Sequence, residues 1–135
     1  MKVVYIIGPY RHETEWGIEQ NICAARRAAI DIWRAGAIAI CPHLNSARLG
    51  GIVDDEVFLS GGEHMARRAD ACVLCPHWEH SVGALREIES AQGERKPIFL
   101  DTVDFKSWYH CKGEEEKMTI EQRAAEELNA ILETL

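Results

Sequence analysis

No stretch of this 135-residue chain approaches the ~20 consecutive apolar residues that a bilayer-spanning helix needs. Positive charge is in short supply. Fifteen Lys and Arg face 22 Asp and Glu, a formal net charge of −7, which argues against a nucleic-acid polymer or an anionic membrane as partner. Much of the acid lies near the C-terminus, from Glu114 to Glu133, and reads as a solvated helix face. The start, "MKVVYIIGPY", has one lysine and no small-residue cleavage site after its few apolar residues, so it reads as a strand and not a signal peptide. Neither G-x-G-x-x-G nor a P-loop is present, so a dinucleotide or triphosphate is not indicated. Five cysteines, an odd count spread through the chain, form no disulfide framework and point to a reduced, cytoplasmic setting.

What is present suffices for one domain over residues 1–135. Hydrophobic residues make up 47% of the chain, enough to bury a core without staples. Four short apolar runs, Val3–Gly8, Ala37–Pro42, Ala71–Pro76 and Pro97–Asp101, are nearly continuous rather than alternating, as expected for strands covered on both faces of a parallel sheet. Between the first two, Ile18, Ile22, Ala25, Ala29, Ile32 and Trp33 recur at helical spacing, with Thr14 as N-cap and Gly36 as the stop. The stretch "DDEVFLSGGEHMARRAD" reads as a short helix, a break at Gly61-Gly62, and a second helix ending near Ala69. Ser81 to Gln92 gives a helix capped by Ser81 and ended by Gly93. "DTVDFKSWYHCKGEEEK" reads as irregular, and Thr119 with Gln122 forms a capping box for a last helix. This alternation predicts an α/β fold: a single-domain, doubly wound parallel sheet of four to five strands, Rossmann-like or flavodoxin-like, with helices on both faces.

In such sheets ligands bind outside the carboxyl ends of the strands. That rim collects "GPYRHE", "CPHLNS", "CPHWEHS" and the stretch after Leu100. Gly8 is expected to let the backbone approach a ligand, with Pro9 and Tyr10 beside it and Arg11 placed to meet a phosphate or carboxylate. The twice-occurring Cys-Pro-His (Cys41–His43 and Cys75–His77) raises a zinc site built from two cysteines and two histidines. C-x-H is not a usual ligand spacing, and a cysteine closing a buried strand points to the core, so no metal is expected; proline there helps end the strand. Trp78 is available to stack on a base or sugar. Further on, Ser81 caps a helix whose first turn is kept slim by Gly83 and Ala84, and Glu87 follows. The helix N-terminus is expected to hold that carboxylate ionised, which makes it a competent nucleophile toward a sugar carbon.

Read together, "VYIIGPYR", "CPHLN" and "ARRADACVLCPHWEHSVGALREIESA" resemble the nucleoside 2-deoxyribosyltransferase-like family, which includes deoxynucleoside 5′-monophosphate N-glycosidases. The resemblance spans about Met1 to Asp101, and its most specific part is the set Trp78, Glu79, Ser81, Gly83, Ala84 and Glu87. It implies Glu87 as nucleophile and Tyr5 as the strand residue that positions it. Ser81 and Arg11 fall on the phosphate-contacting positions of the monophosphate-specific branch, and His43, with Asn45 in the same loop, lies near the ligand. Two positions depart from the pattern. Glu89 stands where many members have glycine, and the acidic residue that helps protonate the leaving base has Glu63 as its nearest counterpart, with Asp54 and Asp55 further off.

The implied reaction cleaves the N-glycosidic bond of a nucleoside or nucleoside 5′-monophosphate through a glycosyl–Glu87 ester, resolved by water or by a second base. Tyr5, Glu63 or a water serves as the proton donor, and no cofactor is required. The alternative is a non-catalytic nucleotide-binding module on the same fold; a purely structural role is the third reading. Relatives of this kind assemble as homodimers or larger oligomers, which makes Trp108, Tyr109 and the helical extension over 109–135 candidate contacts.

Overall fold

The computed structural model describes residues 1–135. Four parallel strands form one sheet: β1 (Val3–Ile7), β2 (Ile38–Ile40), β3 (Ala71–Leu74) and β4 (Ile98–Phe99), in the order β2-β1-β3-β4. The four apolar runs of the sequence supply these strands. Their continuity has its physical cause in the layers: every residue of β3 and β4 is buried, since helices cover both faces. The register pairs Tyr5 with Ile40 on one side and with Cys72 on the other.

Helix α1 (Glu15–Arg34) buries Ala25, Ala28, Ala29 and Ile32 against one face of the sheet, and Ile22 is buried as well. Thr14 caps it by accepting from the Gly17 amide at 2.9 Å, and Gly36 ends it in the left-handed region at φ 95°. Trp33 is exposed, outside the apolar face that its spacing suggests. After β2 comes a single turn, α2 (Pro42–Asn45), then a loop, then α3 (Asp55–Arg68). A 3-10 turn (Trp78–His80) leads from β3 to α4 (Val82–Gly93), with Ser81 as cap accepting from the Ala84 amide at 3.1 Å. The second face of the sheet packs Tyr5, Ile7, Cys72 and Leu74 against Ala66 of α3 and against Ala84, Ile88 and Ala91 of α4.

Three expectations from the sequence need correction. Gly61-Gly62 does not break the chain: α3 runs unbroken through both, because close packing on α4 outweighs the ~1 kcal/mol that each mid-helix glycine costs. The stretch expected to be irregular forms α5 (Thr102–His110), capped by Asp101, whose carboxylate accepts from the Asp104 amide at 2.9 Å. Its helical signal is tertiary, since Phe105 and Trp108 pack on Phe99. The last helix, α6 (Glu114–Leu132), starts before Thr119, whose hydroxyl turns back to the Glu115 carbonyl inside the helix instead of capping it.

The C-terminal aromatics are spent within the chain. Trp108 is buried and donates to Glu121 at 2.7 Å, while the Tyr109 hydroxyl donates to the Gly36 carbonyl at 3.0 Å. No helix is long and apolar enough to cross a membrane.

Candidate active site

The site begins with alternation along β1. Val4 and Ile6 face α1, so Tyr5 faces α3 and α4, where it is 1% exposed. A buried phenol needs a partner. Its hydroxyl donates to Glu87 Oε2, across 82 residues of chain. Glu87 is the sixth residue of α4, more than a turn past the Ser81 cap and out of reach of the free N-terminal amides. The sequence places it under the helix dipole as an ionised group; the packing does otherwise. Burial pushes its carboxyl up to about 7, against the hydrogen bond from Tyr5, and the nearby Glu63 carboxylate adds to the rise. Burial first, and then the Glu87 charge, raise the Tyr5 hydroxyl well above the ordinary phenol value, so Tyr5 stays a donor.

Helix α3 roofs this pair. A β-carbon on Gly62 would stand 2.7 Å from Glu87 Oε2 and 3.0 Å from the Tyr5 hydroxyl, and one on Gly83 would stand 3.1 Å from Leu59 Cδ2. The two glycines let α3 and α4 approach here. Arg86 fixes the approach. Its Nε donates to Glu63 Oε1 at 2.9 Å, and its Nη atoms donate to Glu56 at 2.7 and 3.0 Å and to Glu63 Oε2 at 3.1 Å. The guanidinium therefore holds the Glu63 carboxyl below the usual carboxylate range, which leaves it ionised and without a proton to donate. The expectation that Glu63 serves as general acid does not fit this environment.

The first loop is held from below. His43 is 4% exposed, and its Nε2 lies 3.1 Å from the Gly8 carbonyl and 3.0 Å from the Pro9 carbonyl. Carbonyls only accept, so Nε2 carries the proton, and burial lowers the imidazole below its ordinary pKa. His43 thus supports the loop, with its ring beneath the chain and not on the open rim. Asn21 of α1 ties the same loop by donating to the Tyr10 carbonyl at 3.1 Å. Gly8 has a packing reason within the fold: a β-carbon there would meet Cys75 Cβ at 2.6 Å, just past the end of β3. Tyr10 lies above His43, with ring centroids 6.1 Å apart. Arg11 pairs with Asp55 at the head of α3, both exposed.

Two further predicted residues lie elsewhere. Trp78 is 5% exposed and packs with Tyr5, Leu74 and Ile88 in the core. Asn45 borders a groove of about 460 Å³ beside β2, with Trp33, Ile40 and Met65. The structure therefore brings together Tyr5, Glu63, Gly83 and Glu87 at the α3–α4 seam, with Ser81 at the head of α4. Residues that the sequence did not single out for the site are Gly62, Arg86, Glu56 and Asn21. Only the glycine pair carried a signal, since glycines inside a helical pattern call for a packing reason.

Residues 2–101 match the family model described as a domain of unknown function (DUF7768), and the chain belongs to that family. No curated protein matches the chain.

Proposed function

We propose that this domain cleaves the N-glycosidic bond of a nucleoside or nucleoside 5′-monophosphate through a covalent ester on Glu87. The observation that carries the reading is the buried hydrogen bond from Tyr5 to Glu87 Oε2. It fixes one oxygen of the carboxylate and leaves the other to attack. In the proposed reaction Glu87 attacks the anomeric carbon as the bond to the base breaks. The base takes its proton from water, since Glu63 is held ionised. Water (a hydrolase) or a second base (a transferase) then displaces the carboxylate, which returns the free enzyme. Ser81 and Arg11 belong to this proposal as phosphate contacts. Arg11 is paired with the exposed Asp55 carboxylate, which a phosphate would have to displace.

The proposal includes a small-molecule partner, a cytoplasmic setting and assembly as a homodimer or larger. Sedimentation as a monomer at micromolar concentration would remove the last of these. The central test is incubation with a panel of nucleosides and 5′-monophosphates, followed by chromatography for free base. Release that is lost in Glu87→Ala, together with a glycosylated Glu87 peptide by mass spectrometry, is the expected result. Absence of release across the panel overturns the reading.

One observation favours the second reading, a nucleotide-binding module without turnover. The α3 backbone lies against Glu87, and the acid nearest to it is committed to Arg86. Saturable binding of a nucleotide without release of base would select it.

A further inference from the structure

The free edge of the sheet is β2. At the other edge α5 and α6 pack beside β4, whose two residues are buried, whereas all three residues of β2 are partly exposed. Ile38 donates to the Lys2 carbonyl at 2.9 Å, and the register sets Val4 opposite Ala39. Bonds in a parallel ladder leave from alternate residues, so Ala39 turns its own N–H and C=O away from β1. Such a pair of groups is a template for another strand.

The groove of about 460 Å³ lies along this edge. Its floor is Ala39 to Cys41, with Trp33 of α1 on one side, Met65 of α3 on the other, and Leu44 of α2 past the end of β2. Trp33 is 55%, Leu44 44% and Met65 40% exposed, so each keeps apolar surface to cover. No charged residue lines the groove, and the charges beside it are positive. Arg26 shares a side of α1 with Trp33, two turns earlier, and Arg68 shares a side of α3 with Met65, one turn later. Burial raises the Cys41 thiol, while two backbone amides and the Arg26 charge pull against it, which sets that guanidinium close to the floor. Neither arginine pairs with a carboxylate, in a chain of net charge −7. The next acid on that side of α1, Glu19, lies about two turns beyond Arg26.

We propose that an extended peptide segment of a partner protein adds to β2 as a further strand, with apolar side chains at its centre and carboxylates toward its ends. Its backbone pairs with Ala39, its apolar side chains cover Trp33 and Met65, and its carboxylates meet Arg26 and Arg68. A second copy of this chain fits the edge less well. Two-fold pairing at Ala39 brings a second pair of arginines, and no acid, to the same seam. The surface is independent of the chemistry proposed for Glu87 and stands or falls separately.

The test uses the full chain, labelled with ¹⁵N, titrated with a capped peptide, Asp-Glu-Val-Leu-Val-Glu-Asp, and with the same peptide carrying Lys at every acidic position. The expected result is saturable shifts at residues 29–33, 38–41 and 65–68 and slowed exchange of the Ala39 amide with the acidic peptide, and neither with the lysine peptide. Arg26→Glu and Arg68→Glu should each weaken binding at least about fivefold by setting like charge against like. Ala39→Pro removes only an N–H that the sheet does not use, and should abolish binding. Trp33→Ala, an exposed change, should weaken it roughly tenfold, as for loss of an aromatic anchor. The proposal is overturned by lack of saturation up to about 5 mM, where even a millimolar site would largely fill. Equal binding of the lysine peptide, or wild-type binding in a folded Ala39→Pro or Trp33→Ala variant, would each overturn it as well. A dimer in sedimentation that Ala39→Pro dissociates would give the edge to a second copy and overturn it too.

Discussion

Gly62 stands directly over Glu87: a β-carbon on the glycine would come within 2.7 Å of the carboxylate oxygen that Tyr5 holds. Its neighbour Gly61 has nothing within 4 Å of the same position. The pair therefore makes a controlled comparison. Gly61→Ala should stabilise the protein by about 0.5–1 kcal/mol, the helix-propensity difference. Gly62→Ala carries the same gain but pushes the carboxylate off Tyr5, so it should fall at least about 1 kcal/mol below Gly61→Ala in urea unfolding. Equal stability of the two variants would show that α3 does not press on the pair.

Glu87 makes folding stability depend on pH with a definite sign. Its folded carboxyl titrates near 7, above the ordinary 4.5, so between those values the folded state keeps a proton that the unfolded state gives up. The contribution is fully present below about 4.5 and is lost as pH rises through about 7, roughly 3 kcal/mol in all. The lowered pKa of His43 acts in the opposite direction below its ordinary value of 6.5. The comparison with Glu87→Gln isolates the carboxylate: the variant should gain on wild type between about pH 5 and pH 8. An unchanged difference across that range would falsify the assignment.

If Glu87 is the nucleophile, base release should rise with pH and level off above about 7, since only the ionised carboxylate attacks. Tyr5→Phe removes the bond that lowers the Glu87 pKa. The midpoint should move to higher pH, and the rate near neutrality should drop roughly 10²-fold, as for loss of one charge-stabilising donor. A lowered rate with an unmoved midpoint would assign Tyr5 a packing role only.

Ser81 has two jobs that two substitutions separate. Ser81→Ala loses the cap on the Ala84 amide and should cost about 1 kcal/mol. Ser81→Asp keeps a good cap but sets a negative charge at the proposed phosphate contact. It should retain stability and lose any preference for monophosphates over nucleosides. A preserved preference in both variants removes Ser81 from the phosphate site.

Gly8 is tested through its neighbour. Gly8→Ala places a β-carbon 2.6 Å from Cys75 Cβ, an overlap that the two strand ends must absorb. Overpacking of this kind costs about 1–3 kcal/mol. Adding Cys75→Gly removes the opposing atom, so the double variant should lose less than the two single losses combined, as thermal unfolding would show. Additive losses would mean that the space over Gly8 is kept for something other than Cys75.

The strands were legible in the chain because each one is local. Four apolar runs bounded by Gly, Pro or charge leave few alternatives, and Thr14 and Gly36 mark the ends of α1 through their own backbone preferences. Ser81 was readable as a cap for the same reason. Glu87 stood out as a carboxylate on the helix that Ser81 caps and Tyr5 only through a resemblance, because nothing in residues 82 positions apart says that they will hydrogen-bond.

What local pattern could not settle was decided by neighbours distant in sequence. Phe105 and Trp108 turn an apparently irregular stretch into a helix because Phe99 is there to pack on. Glu63 loses the role of acid because Arg86, on another helix, takes both of its oxygens. His43 turns under the loop to meet two carbonyls, and Glu87 gains a high pKa because a helix with two glycines covers it. Secondary structure follows from the preferences of adjacent residues. Protonation and proximity follow from desolvation and contact, which exist only once the layers have packed.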